Sequence, residues 1–420
     1  MPDTLFSPTR LDQIRSQFPA LRRLHNGKPA IYLDGPAGTQ VPQRVADAVA
    51  RHLLHHNANH GGVFPTSVES DQIVDEAHAA LAALVGRADG GEIVFGGNMT
   101  TLTFHLSRAL GRLWREGDEI LVTRLDHDAN VRPWVLAAED AGAMVRFVPV
   151  RTEDCTLDLA AYADLLSPRT QLVALGAASN SVGTINAVEK MTAMAKEHGA
   201  LVFIDAVHYA PHGVIDVESW GCDFLACSAY KFFGPHVGIL WGRRELLEQL
   251  RAYKLNPAPN ELPGKWMTGT QNFASLAGTL AAVNYLAELG RQWSESSELS
   301  RRDALIAAME QISAHESELI WRLIEAIRSI PDITVYGITD RQRAAERMPT
   351  ISLTSQRVPP VEMAKRLAEQ GIFAWHGNYY AWELSRALGR EPEGMLRLGM
   401  VHYNTPEEVE RTIEVLQRMH

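Results

Sequence analysis

The residues best placed to do chemistry are an acid and a lysine, 26 positions apart. Leu201-Val202-Phe203-Ile204-Asp205 is an apolar run closed by a carboxylate. An acid at the carboxyl end of a parallel strand stands where open α/β sheets bind ligands. A second run, residues 223–227, continues into Ser228-Ala229-Tyr230-Lys231-Phe232-Phe233-Gly234-Pro235. Small and aromatic neighbours desolvate the Lys231 amine, lower its pKa and make it available for a Schiff base. The spacing is enough for one strand–helix–strand crossover. Pyridoxal phosphate (PLP) needs both groups: the lysine holds its aldehyde, and the acid keeps its pyridine nitrogen protonated so that the ring accepts electrons. Taken singly, Asp205 reads equally as a helix cap or a metal or nucleotide ligand, and Lys231 as a solvent-facing side chain.

Further pieces stand in the right order. Glu92-Ile93-Val94-Phe95-Gly96-Gly97-Asn98-Met99-Thr100-Thr101 reads as strand, glycine-rich turn and helix, and its N–H groups and the Thr100 hydroxyl suit a phosphate. It is not a Walker loop, because no Gly-Lys-Ser/Thr follows. Strand alternation over residues 395–401 puts Arg397 on one face with Met395, Gly399 and Val401. An arginine there wants an anion, and a bidentate carboxylate fits it. The alternative is an edge-strand arginine reaching for water.

The elements that must position these residues follow from hydrophobic period. Residues 10–24 predict an amphipathic helix, residues 31–33 a short strand, and residues 71–85 a helix stopped by Gly86. Apolar runs at 92–95, 119–122, 144–148, 171–175, 201–204, 224–226 and 238–241 alternate with helical segments, the signature of parallel strands covered on both faces. Past residue 285 the texture changes to a long helix over 303–327 and a smaller α+β unit. That unit has strands at 333–336, 350–353, 372–375 and 395–400 and helices at 361–370 and 406–418.

The chain has 420 residues, 46% hydrophobic and 21% charged, with a net charge of -10, so it reads as globular and nucleic acid is not an expected partner. Pairs such as Arg243-Arg244 sit among glutamates and read as solvated helix faces. No apolar run is long enough for a bilayer, and Met1-Pro2-Asp3-Thr4 lacks the features of a secretory signal. With three cysteines, Cys155, Cys222 and Cys227, in no metal-type spacing, the expected location is the cytoplasm.

From Tyr32-Leu33-Asp34 to Tyr403-Asn404-Thr405-Pro406-Glu407-Glu408, and most specifically over residues 205–238, the sequence resembles the class V aminotransferase group of fold-type-I PLP enzymes, in its cysteine desulfurase/selenocysteine lyase branch. The resemblance implies that Lys231 is the Schiff-base lysine and Asp205 the partner of the pyridinium nitrogen. His208 matches a ring-hydroxyl contact, His127 in Asp126-His127-Asp128-Ala129-Asn130 the histidine stacked on the ring, and Asn180 in Ser179-Asn180-Ser181 an asparagine near the ring oxygen. Thr100 and Ser228 match phosphate ligands, Tyr230 replaces the usual phosphate-binding histidine, and Met99 is counted with the cofactor contacts. Thr270 in Thr268-Gly269-Thr270-Gln271-Asn272 matches a threonine that reaches the phosphate of the neighbouring subunit, which implies a homodimer. Arg397 matches the grip on the substrate α-carboxylate, and Ala37 in Asp34-Gly35-Pro36-Ala37-Gly38 is counted with the substrate contacts.

The pattern breaks at the mobile cysteine that carries the persulfide in desulfurases. Here the loop reads Trp375-His376-Gly377-Asn378-Tyr379-Tyr380-Ala381-Trp382, and no cysteine follows Cys227. Tyr380 falls at the cysteine position, and Tyr380, Tyr379 or His376 is left to hand a proton to a leaving group or merely to pack the loop. Residues 254–261 also depart from the branch's glycine-rich loop. His52, His55, His56 and His60 lack an acid or cysteine partner and read as polar helix-end residues; no metal is expected.

The expected fold is α/β, a fold-type-I PLP transferase with a large, mostly parallel seven-stranded-type sheet domain over residues 26–285. Residues 1–25 and 286–420 form a small α+β domain. The expected reaction starts at the α-carbon of an amino acid and ends as a β-eliminating, C–S type lyase without a persulfide relay. Transamination and epimerisation share its first steps, and an inactive PLP-fold binding protein is the reading from another class. A nicotinamide dehydrogenase is disfavoured, since no Gly-x-Gly-x-x-Gly follows an early strand.

Overall fold

The structure is a computed structural model and describes residues 5–294, 296 and 298–419. Residues 1–4, on which the reading of the chain start rests, lie outside the described residues.

Seven strands form the central sheet: β1 Ile93–Gly96, β2 Glu119–Thr123, β3 Met144–Val148, β4 Thr170–Gly176, β5 Leu201–Asp205, β6 Phe224–Ser228 and β7 Gly238–Gly242, in the order β1-β7-β6-β5-β4-β2-β3. Alternate residues supply two separate cores. Phe95, Leu121, Val173, Ile204, Leu225 and Ile239 pack with the helices Pro65–Leu84 and Phe273–Trp293. Val94, Ile120, Leu172, Phe203, Phe224 and Leu240 pack with Met99–Gly111 and Arg132–Ala141. A sheet buried on both faces gives continuous apolar runs, and this is why the runs were legible.

The sheet is mostly parallel, as expected; one strand runs the other way, and one edge strand is not covered on both faces. β7 is antiparallel to both β6 and β1. The connection over residues 229–237 is too short for a parallel crossover, so the chain turns straight back. β3 ends the sheet, pairs with β2 and leaves Met144 and Arg146 exposed.

A second, antiparallel sheet holds β8 Ile333–Tyr336, β9 Thr350–Ser355, β10 Trp375–Gly377 and β11 Met395–Gly399, in the order β8-β9-β11-β10. Its apolar face, with Ile351, Leu353, Leu396 and Leu398, packs against Leu319 to Ile327 of the long helix Arg301–Arg328 and against Val409, Ile413 and Leu416 of Pro406–Arg418. The single strand expected at 372–375 is two. Ile372–Phe373 pairs parallel with Ile31–Tyr32, and the chain then switches partner to join β11. The expected helix over 10–24 is Pro8–Ser16 alone, because Phe18, extended at φ -108°, precedes Pro19. Phe6, Leu11 and Ile14 pack in the central sheet's cluster, whereas Ile31 and Leu33 pack with the second sheet. Residue 285 falls inside the helix Phe273–Trp293.

That helix and Arg301–Arg328 touch backbone to backbone at Gly290, where an added Cβ would lie 1.7 Å from the carbonyl oxygen of Ala304. Gly290→Ala should force the pair apart and cost about 2 kcal/mol or more. The measurement is the midpoint of chemical denaturation, and an unchanged midpoint would contradict so close a packing.

Candidate active site

β5 and β6 are parallel neighbours in which Asp205 is registered against Ala226, so both carboxyl ends open on one edge. Asp205 ends β5, and the short turn Ala229–Lys231 follows β6 directly. Between them lies a cavity of about 560 Å³, within the range of small-ligand pockets. Nine of the residues singled out by sequence line it together: Lys231, Asp205, His208, His127 and Asn180 on one count, and Met99, Thr100, Ser228 and Tyr230 on the phosphate-type side. The latter side is built by close backbone approach. The Met99 amide donates to the Ser228 hydroxyl at 3.0 Å, and a Cβ on Gly238 would lie 2.3 Å from the carbonyl carbon of Asn98.

Burial dominates the electrostatics. It pushes the Lys231 ammonium down to about 7, with the nearby Arg397 lowering it further and Asp205 opposing. The Lys231 amine donates to the Pro36 carbonyl. Burial raises Asp205 to about 6, against the 2.9 Å hydrogen bond that its Oδ1 accepts from Val207 and the charge of Lys231. His127 is lowered to about 4 by burial and by Lys231 and Arg397. Its Nδ1 accepts from the Ala129 amide at 3.0 Å, which a neutral ring alone can do. His208 is pushed well down by burial and the neighbouring His212, and its buried Nε2 has no hydrogen-bond partner.

Sequence reasoning passed over one wall of the cavity. Asp126 is buried there and raised to about 8 by burial and by Asp205. It accepts from the Gly176 amide and from Asn130 Nδ2, each at 2.9 Å, while Asn130 Oδ1 accepts from Trp134 at 3.1 Å. Those bonds tie the His127 loop to the ends of β4 and the next helix. Its signal was an acid directly before the histidine.

Arg397 is buried in β11, registered against Ser352 on one side and Trp375 on the other. Its Nη1 donates to the Asn180 carbonyl at 2.9 Å, and the guanidinium lies 4.2 Å from the centre of the Tyr379 ring. Burial lowers it to about 10, and raises its neighbour Asp34 to about 6. Ala37 lines an adjoining groove with Asp34, Tyr230 and Trp375. Tyr380 is exposed and stacks on His127, with ring centres 5.4 Å apart. His376 is exposed and registered against Leu396, so strand alternation puts it on the face opposite Arg397. Thr270 does not reach the cavity of Lys231; it lines a second one with Gly96, Gly97, His105 and Thr268, which shares Thr100 with the first.

Among the described residues no three His, Cys, Asp or Glu side chains cluster to hold a metal ion, and no helix is long and apolar enough to cross a membrane.

Residues 31–412 match the Aminotransferase class-V family. The chain is 31% identical over 425 residues to a cysteine desulfurase of Pectobacterium carotovorum subsp. carotovorum (strain PC1), covering 98% of both proteins. It is 34% identical over 421 residues to the aminotransferase-like protein FGM3 of Gibberella zeae, covering 97% of this chain and 98% of that protein. In fold it is similar to the apo cysteine desulfurase of Thermococcus onnurineus NA1, with a TM-score of 0.87, 23% identity and coverage of 99% of this chain and 98% of that one. It is also similar to the cysteine desulfurase CsdA of Escherichia coli, with a TM-score of 0.83, 25% identity and the same coverage. The chain belongs to the class-V aminotransferase family, with the fold-type-I architecture and the pyridoxal-phosphate cofactor of that family.

Proposed function

We propose that the protein is a PLP-dependent lyase that expels a β-substituent from an α-amino acid without carrying sulfur on a cysteine of its own. One observation carries this reading: the loop that would bear such a cysteine holds Tyr379 and Tyr380, and all three thiols of the chain are buried. Burial pushes Cys155 up to about 11, Cys222 up to about 12 and Cys227 higher still, so none is a nucleophilic thiolate near neutral pH.

The cavity fits the cofactor. The Lys231 amine would be its covalent anchor, the buried Asp205 would pair with the pyridine nitrogen, and His208 Nε2 and Asn180 Oδ1, unpartnered among the described residues, would be free for a ring substituent. His127 would cover a ring face, and Met99, Thr100, Ser228 and Tyr230, which line the same cavity, would receive the phosphate. When bound, PLP supplies an electron sink for the bonds at the α-carbon. The protein does the rest. Arg397 holds the α-carboxylate beside Ala37, and Lys231, neutral near pH 7, takes the α-proton once released from the cofactor. Tyr380, next to His127, suits delivery of a proton to the leaving group, because the Tyr379 hydroxyl already donates to Met395 and His376 lies on the other face. The α-C–H and Cβ–substituent bonds break, and water then yields pyruvate and ammonia from a three-carbon substrate.

Thr270 completes the phosphate site of a second copy, so the working unit is a homodimer. The buried, unpaired thiols suit the cytoplasm. The match to an aminotransferase-like protein favours transamination as the second reading.

The reaction is tested with the holoenzyme, β-substituted amino acids and no added keto acid. Pyruvate released over many turnovers supports the lyase. A stop after one turnover, with pyridoxamine phosphate left behind, overturns it in favour of the transaminase.

Lys231 gives a second test. Its lowered pKa means the amine is neutral above about 7, so the rate of PLP uptake by the apoprotein should rise with pH to about 7 and then level. Lys231→Ala should lose the visible absorption band, and borohydride should fix cofactor at Lys231 alone. A rate still climbing beyond pH 9 would contradict the buried amine. For Thr270, the expectation is a dimer on sedimentation, with cofactor retention about tenfold weaker in Thr270→Ala; a fully active monomer would remove the cross-subunit role.

A further inference from the structure

Tyr379 is held on three sides. Its carbonyl accepts from Asn180 Nδ2 at 3.0 Å, its hydroxyl donates to the carbonyl of Met395 at the start of β11, and its ring lies 4.2 Å from the Arg397 guanidinium carbon. Asn180 closes the circuit, since its own carbonyl accepts from Arg397 Nη1 at 2.9 Å. The backbone at Tyr379 is left-handed, φ 57°, and Tyr380 follows at φ 60°. Bulky residues avoid this region, and such outliers persist where the surroundings hold them for a purpose.

The arginine needs such a holder. Arg397 is 5% exposed, and among the described residues its contacts are a peptide carbonyl and an aromatic face, with no ion pair to a carboxylate. A guanidinium fixed over a ring keeps its in-plane N–H groups for a bidentate anion. The bond that holds Tyr379 uses one Asn180 Nδ2 hydrogen, and Asn180 Oδ1 lies buried at the cavity wall with no partner among the described residues.

We propose that Tyr379 is a positioning residue that orients Arg397 for the α-carboxylate of the substrate, so that recognition of a carboxylate depends on an aromatic ring at this position of the loop. The inference rests on the reading of Arg397 as the carboxylate ligand.

The experiment titrates the holoenzyme with L-alanine and with ethylamine, the same skeleton without the carboxylate, and follows the absorption of the bound cofactor. The ratio of the two dissociation constants isolates carboxylate recognition from cofactor loading and from general damage. Tyr379→Phe keeps the ring and should keep the wild-type ratio. Tyr379→Leu keeps bulk without a π face and should reduce the preference for L-alanine about tenfold, with ethylamine binding unchanged. Arg397→Ala should abolish the preference. If Arg397→Ala abolishes it and Tyr379→Leu does not reduce it, the positioning role is overturned while the carboxylate reading stands. If wild type shows no preference, or Arg397→Ala retains it, the carboxylate reading fails and this inference falls with it.

Discussion

A lysine amine that is to act as a neutral nucleophile near pH 7 has to be kept out of water, and the architecture around Lys231 answers that constraint. The residue sits on a tight turn at the end of β6, and burial is the largest reason its pKa falls to about 7. Low polarizability around it lengthens the reach of every other charge. Arg397 therefore depresses the amine further, while Asp205 draws it back; burial raises Asp205 and Asp126 alike, and the charge of Asp205 raises Asp126 further. The cavity is a set of ionisable groups that cannot all be charged at once, which is a suitable setting for moving protons at one carbon.

Such a site tolerates little movement, and the surrounding polar bonds account for its rigidity. Asp126 links the His127 loop to Gly176 and, through Asn130, to Trp134. Behind His208, the ring of His212 stands edge-on with centres 5.5 Å apart, and His212 is paired at 2.7 Å with Glu316 of the long helix Arg301–Arg328. Tyr285 meets His402 at 2.6 Å nearby. Glu316 of the long helix is thus bonded to His212, which packs on the cavity-lining His208. A change in the long helix Arg301–Arg328 would be felt at His208 through packing and not only through global stability.

The opposite wall is built differently. Among the described residues Arg397 meets no acid in an ion pair, so the buried cation is left with the attraction of Asp34 at longer range, an aromatic face and a carbonyl. On the function proposed above, an incoming carboxylate would supply the missing charge and give substrate binding a large electrostatic component at a single point. The loop that completes this wall carries two adjacent tyrosines and no cysteine, so it presents aromatic surface and hydroxyl groups.

By itself the sequence determined the elements and the central chemistry: seven apolar runs, an acid closing one of them and a lysine after the next, because strand burial and desolvation are written in local residue type. Tyr379 in the left-handed region, the circuit through Asn180 and the role of Asp126 were not legible, since each depends on partners 50 to about 217 positions away. The direction of β7, the split of the strand at 372–375 and the face presented by His376 were likewise decided by connection length and register. Thr270 shows the same division. Its identity is plain in the chain, but the tertiary structure puts it in a cavity beside that of Lys231, because which surfaces meet is a property of the assembled fold and not of the residues along it.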